Sequence, residues 1–144
     1  MSQNPYLEYA RSFRRLAVEG RDLPFGGIPK PEKPKLDDDA PVALILSPHP
    51  DDECVIGGLA LRLLRESGVR IVNVAVTLGS NRARQQERLN ELQGACDWIG
   101  FELQEIIPGG LECVTLQTRK NDPKQWERSV DRLREILDKW SPRA

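Results

Sequence analysis

The stretch Val42-Ala43-Leu44-Ile45-Leu46-Ser47-Pro48-His49-Pro50-Asp51-Asp52-Glu53 decides how this chain is read. Its first five residues form a continuous apolar run, the pattern of a strand buried on both faces in a parallel sheet. In open α/β sheets the chemistry sits just beyond the carboxyl ends of the strands. The heptad Ser47–Glu53 occupies that place and holds the only histidine of the 144-residue chain together with three consecutive acids. His49 and Asp52 are three residues apart, close enough in a turn to grip one metal ion, and Asp51 between them is available as a base. Pro48 and Pro50 fix φ and push the residues before them out of the helical region, so the loop is stiff. A neutral imidazole and carboxylates in a stiff loop suit a divalent metal of the zinc type. The competing reading makes His49 a surface residue and the acids a helix first turn favoured by the helix dipole. Placement at a strand end and the two prolines favour the metal.

Outward from this stretch, strands and helices alternate. Strand one is Val42–Leu46, and an apolar helix runs from about Val55 to Glu66, with Val55, Ile56, Leu59, Leu63 and Leu64 facing packing partners and Gly68 in the C′ role. Strand two is expected over Ile71–Thr77, a helix from about Ala83 to Ile99 with Leu89, Leu92, Cys96 and Ile99 buried, and strand three over Phe101–Ile107. A last helix spans about Lys124 to Trp140, with Trp126, Val130, Leu133, Leu137 and Trp140 on one face. The order βαβαβα predicts an α/β fold with a Rossmann-like parallel sheet, flanking helices and right-handed crossovers. Strand one should lie inside such a sheet, with strand two on one side and a later strand on the other. A fourth strand is expected after Trp140, where the chain has Ser141-Pro142-Arg143-Ala144. The architecture therefore reads as truncated after the third strand–helix unit, and its open edge predicts an oligomer paired through that edge.

Before the sheet, residues 1–20 read as an amphipathic helix with Tyr6, Tyr9, Ala10, Phe13, Leu16 and Ala17 on one stripe. Residues 21–40, with Pro24, Gly26, Gly27, Pro29, Pro31 and Pro34 among lysines, read as a linker or arm. Residues 41–144 read as the N-terminal part of the α/β domain. A formal net charge of −1 with 30% charged residues gives no field that favours nucleic acid or anionic lipid. No apolar run reaches the length of a membrane helix, and the start lacks a signal-peptide core. Cys54, Cys96 and Cys113 are an odd number without C-x-x-C spacing, which suits reduced thiols and a cytoplasmic location.

Two other chemistries compete for the strand end. Gly57-Gly58 at a helix start suggest a nucleotide-binding Rossmann-like domain, but neither G-x-G-x-x-G nor G-x-x-x-x-G-K-[ST] is present. Three acids would also repel phosphate. A Cys54–His49 nucleophile pair is disfavoured because neighbouring acids raise a thiol pKa.

Pro48-His49-Pro50-Asp51-Asp52-Glu53, after a buried strand and before a glycine-containing helix, resembles the motif of the PIG-L/LmbE-like deacetylases. Arg88-Leu89-Asn90-Glu91-Leu92 ahead of Trp98-Ile99-Gly100 resembles a second family pattern. The resemblance covers about Pro41 to Trp140. It implies a zinc-dependent (or other divalent-metal) hydrolase with a Rossmann-like fold that removes N-acetyl groups from N-acetylglucosamine-type sugar conjugates. It also implies that His49 and Asp52 are metal ligands, that Asp51 is the general base activating water, and that Arg88 binds substrate. Glu53 is read as loop support. Two departures stand out. The loop Ile107-Pro108-Gly109-Gly110-Leu111-Glu112 lacks the Asp many members carry, and the family's further histidines, from beyond a fourth strand, have no counterpart here. The different-class alternative is a truncated, non-catalytic remnant acting through a partner.

Overall fold

Strand β2 (Arg70–Ala75) is the centre of the fold: Ile71, Val72, Val74 and Ala75 are each at most 1% exposed. In this computed structural model, which describes residues 4–22 and 29–144, β2 lies between β1 (Val42–Ser47) and β3 (Glu102–Glu105). Both pairings are parallel, with Val42 opposite Arg70 and Val72 opposite Glu102. Burial on both faces explains why Ile71, Val72, Val74 and Ala75 are apolar on both sides of β2, since neither face meets water. One face carries Ala43, Ile45, Ile71 and Ala75, packed against Ala60 and Leu64 of α2 (Asp52–Ser67) and Leu92 and Cys96 of α3 (Gln85–Ile99). The other carries Val72, Val74 and Val76, packed against Ile136 of α5 (Pro123–Trp140). The expected parallel α/β sheet with flanking helices is what the chain forms.

Two buried polar strand residues, Asn73 and Ser47, interrupt the inner layer. Asn73 is fully buried, accepts a hydrogen bond from the Ser47 hydroxyl at 2.6 Å and donates to the Cys96 sulfur at 3.6 Å. A buried amide left unpaired would cost about 1–3 kcal/mol, so these partners are what make Asn73 tolerable between β1 and α3.

Several expectations are corrected. The helix after β1 begins at Asp52, three residues earlier than expected, because Asp52 and Glu53 form its first turn. Its packed face is Glu53, Gly57, Ala60 and Leu64, whereas Val55, Ile56 and Leu59 are 83%, 55% and 68% exposed. That inner face combines the small Gly57 and Ala60 with Leu64 and the acid Glu53. β2 and β3 are shorter than the apolar runs that announced them, and Thr77 and Ile107 lie in loops. Helix α3 is preceded by a 3-10 turn at Arg82–Arg84. The short helix α4 (Leu116–Asn121), absent from the sequence reading, is capped by the Thr115 hydroxyl. On α5 it is Ile136 that is buried, while Leu137 is 43% exposed. β1 is an edge of the three strands, as expected without a fourth strand. On its far side Arg143 N–H donates to the Val42 carbonyl at 2.7 Å and Leu44 N–H to the Ala144 carbonyl at 2.9 Å.

The chain divides into one unit up to Lys30 and another from Pro31. In the first, α1 (Pro5–Glu19) starts with Asn4 accepting from Tyr6 N–H at 3.0 Å and a proline in its first turn. Such a start satisfies one orphan amide and uses the preset φ of proline. Its Tyr6, Tyr9, Phe13 and Leu16 are all exposed. Of the expected 21–40 arm, residues 23–28, with Pro24, Gly26 and Gly27, lie outside the described residues. From Pro29 to Ala40 it has no helix or strand.

Candidate metal-binding active site

The loop Pro48–Asp51 leaves the carboxyl end of β1, and the parallel sheet brings two others beside it: Val76–Asn81 after β2 and the segment after β3. They are stitched by the backbone, with Val76 N–H on the Ser47 carbonyl at 3.0 Å and Leu111 N–H on the Val76 carbonyl at 2.7 Å. Between them opens a cleft of about 560 Å3 lined by His49, Thr77, Gly79, Ser80, Arg82, Gln85, Arg88 and Leu111–Thr115. Its size and its place beyond the strand ends suit a small-molecule site. A second, open groove of about 700 Å3 runs along α5 and shares Gln85, Leu111 and Glu112 with it.

Inside the loop every turn is tied. Asp52 Oδ2 accepts the His49 N–H at 2.7 Å and lies 3.7 Å from His49 Nδ1. The backbone thus brings imidazole and carboxylate to the same side. Asp51 is the N-cap residue of α2, yet its side chain caps nothing. It sits at φ 129°, a conformation that side-chain-bearing residues rarely adopt and that costs of order 1–3 kcal/mol. With this twist its carboxylate stays 73% exposed, 3.6 Å from the Arg88 guanidinium. Arg88 also donates to the Pro50 carbonyl at 3.1 Å.

Glu53 is the buried acid, 3% exposed. It accepts the Asp51 N–H at 3.1 Å and the Cys54 thiol at 3.5 Å, so its charge holds the loop from beneath. The Cys54 thiol is pushed above its ordinary value by desolvation, by that hydrogen bond, and by the charges of Glu53 and Asp51. Cys96 is pushed up to about 11 by burial, with the Asn73 hydrogen bond opposing. Neither is poised as a thiolate nucleophile at neutral pH.

Sequence reasoning missed Thr77. Its hydroxyl donates to the Pro48 carbonyl at 2.5 Å and accepts Gly79 N–H at 3.2 Å, joining the β1 and β2 loops. Gly110 seats against it so closely that a Cβ there would lie 3.0 Å from Thr77 Cα. A polar residue ending an apolar run, as Ser47 ends β1, is the signal that could have found it. Glu112 was also missed; it pairs with Arg82 at 2.7 Å across the cleft wall.

The residues test the metal implied by the resemblance. His49 and Asp52 converge as one nitrogen and one oxygen donor, a chemistry that suits a zinc-type ion. Among the described residues no group of three His, Cys, Asp or Glu side chains gathers around one point. The pair fits as two donors of such a site.

No curated protein and no solved structure matches the chain. A family model does, over residues 44–144, spanning β1 with its loop, the cleft and α5. By that match, which takes in the polar heptad and more than half of the sequence, the chain belongs to the PIG-L family, GlcNAc-PI de-N-acetylase.

Proposed function

We propose that this chain carries the base and two metal ligands of a metal-dependent deacetylase acting on an N-acetylglucosamine-type sugar conjugate. The observation that carries the reading is the convergence of His49 Nδ1 and Asp52 Oδ2 to 3.7 Å at the edge of a cleft beyond β1. Family membership supports the deacetylase class. His49 and Asp52 would hold the ion. When bound, a zinc-type ion polarises the acetyl carbonyl and makes water nucleophilic near neutral pH. Asp51, exposed beside the pair, takes the proton of the attacking water and can return it to the leaving amine. Arg82 supplies a cation on the cleft wall that suits sugar hydroxyls or an anionic substituent. The adjoining groove along α5 leaves room for the rest of a conjugate. Three free cysteines suit a reducing compartment, and we assign the cytoplasm. Among the described residues no helix is long and apolar enough to cross a membrane.

The test is amine release from an N-acetylglucosamine conjugate by the purified chain, with zinc added or removed. Release that rises with zinc, stops with chelator and is lost in His49→Ala is expected. Release indifferent to chelator would overturn the reading. The two-donor count favours one other reading, a non-catalytic family member acting through a partner. It predicts no release at saturating zinc.

A further inference from the structure

The orientation of Asp51 depends on the plane of one peptide group, Pro50–Asp51, because that plane sets φ at Asp51. Both polar atoms of this peptide are held from elsewhere. Its N–H donates to Glu53 Oε2 at 3.1 Å, from the buried side of α2. Its carbonyl accepts from Arg88 at 3.1 Å, from α3. The same guanidinium lies 3.6 Å from the Asp51 carboxylate. Both contacts come from one nitrogen, Nη2, so a single cationic group faces the Pro50 carbonyl and the Asp51 carboxylate at once. Gly79 keeps the space open: a Cβ there would lie 2.4 Å from Arg88 Nη1.

We infer that Arg88 is a positioning residue: with Glu53 it clamps the Pro50–Asp51 peptide and holds Asp51 at φ 129° with its carboxylate exposed beside the guanidinium. The role of Asp51 as base rests on the deacetylase reading; the clamp rests on the geometry alone. The role differs from substrate binding in what it does to the rate. A substrate contact acts through affinity and is felt only by substrates that reach it. A clamp on the base slows the chemical step of every substrate alike.

The experiment compares Arg88→Gln and Arg88→Lys with the unaltered full chain by two readouts. In zinc-supplemented amine release, Arg88→Gln should lower kcat about 10²-fold, the lower range of what a positioned base contributes, with KM within about twofold. The factor should be the same for N-acetylglucosamine and for its conjugates, and Arg88→Lys should recover part of it. A raised KM at unchanged kcat, or a loss confined to conjugates, would overturn the clamp in favour of substrate contact. In amide hydrogen exchange, the Asp51 and Cys54 amides should exchange at least about tenfold faster in Arg88→Gln, while those of β2 keep their protection. Unchanged exchange in the loop would overturn the clamp, as would loss of protection throughout β2. The exchange readout needs no turnover, so an inert wild-type chain would defeat the deacetylase reading without deciding the clamp.

Discussion

Helix α2 begins and continues in opposite ways. In its first turn each polar group has a partner: Asp52 on His49 N–H, Glu53 on Asp51 N–H and Cys54. One turn on, its outer face presents Val55, Ile56 and Leu59 largely to solvent, while Gly57, Ala60 and Leu64 turn inward. The first turn carries the candidate chemistry and the inner face carries the stability. The outer face, although the most hydrophobic to read, contributes little to this unit's core. The lesson is that apolar periodicity finds a helix, while its packing against the sheet decides which of its residues turn inward.

The comparison breaks most visibly at Leu64, 1% exposed on the inner face. Leu64→Ala should cost about 2–5 kcal/mol in urea unfolding, as cavity-forming substitutions do. A loss below about 1 kcal/mol would mean that α2 is not anchored there. Next comes Cys96, which faces the same inner layer and keeps its proton up to about 11 against an ordinary 9.0. A raised folded-state value favours the folded chain fully below pH 9, and that advantage disappears as pH climbs to 11. Up to about 2–3 kcal/mol should therefore be lost over that window, and Cys96→Ala should flatten this part of the stability profile. An unchanged slope would place the thiol in a wetter setting. At the first turn, Glu53→Ala strips the Asp51 N–H of its acceptor and should cost about 1–3 kcal/mol. A neutral result by thermal melting would remove Glu53 from the account of the loop. On the outer face, Val55→Ser should change stability by no more than about 0.5 kcal/mol; a larger loss would show that something covers this face in solution.

Much of this architecture was readable beforehand, for physical reasons. The two apolar runs made the strands and the parallel sheet legible, but only β2 is buried on both sides. β1 buries Ala43, Ile45 and Ser47 on one face and leaves Leu46 43% exposed on the other, contrary to the expectation of a strand buried on both faces. The loop stands out because prolines on either side of His49, and acids at a strand end, have few structural uses. What stayed hidden depends on contacts distant in sequence. Ile136 rather than Leu137 faces the sheet because α5 is rotated by its packing against Val72 and Val74. Thr77 and Arg88 meet the His49 loop only once three strands are aligned, and the left-handed φ of Asp51 has no glycine to announce it. The pairing of Arg143 and Ala144 with β1 was likewise invisible in a tail of four residues.

The account assigns adjacent acids to different tasks, Asp51 to the proton and Asp52 to the ion, and one titration separates them most directly. Amine release is measured against zinc concentration for the wild type, Asp51→Asn and Asp52→Asn. The account predicts that Asp51→Asn keeps the wild-type zinc midpoint and loses about 10²–10⁴-fold of the plateau rate. Asp52→Asn should instead move the midpoint to higher zinc. Equal shifts of the midpoint in both variants, or an undiminished plateau in Asp51→Asn, would contradict it.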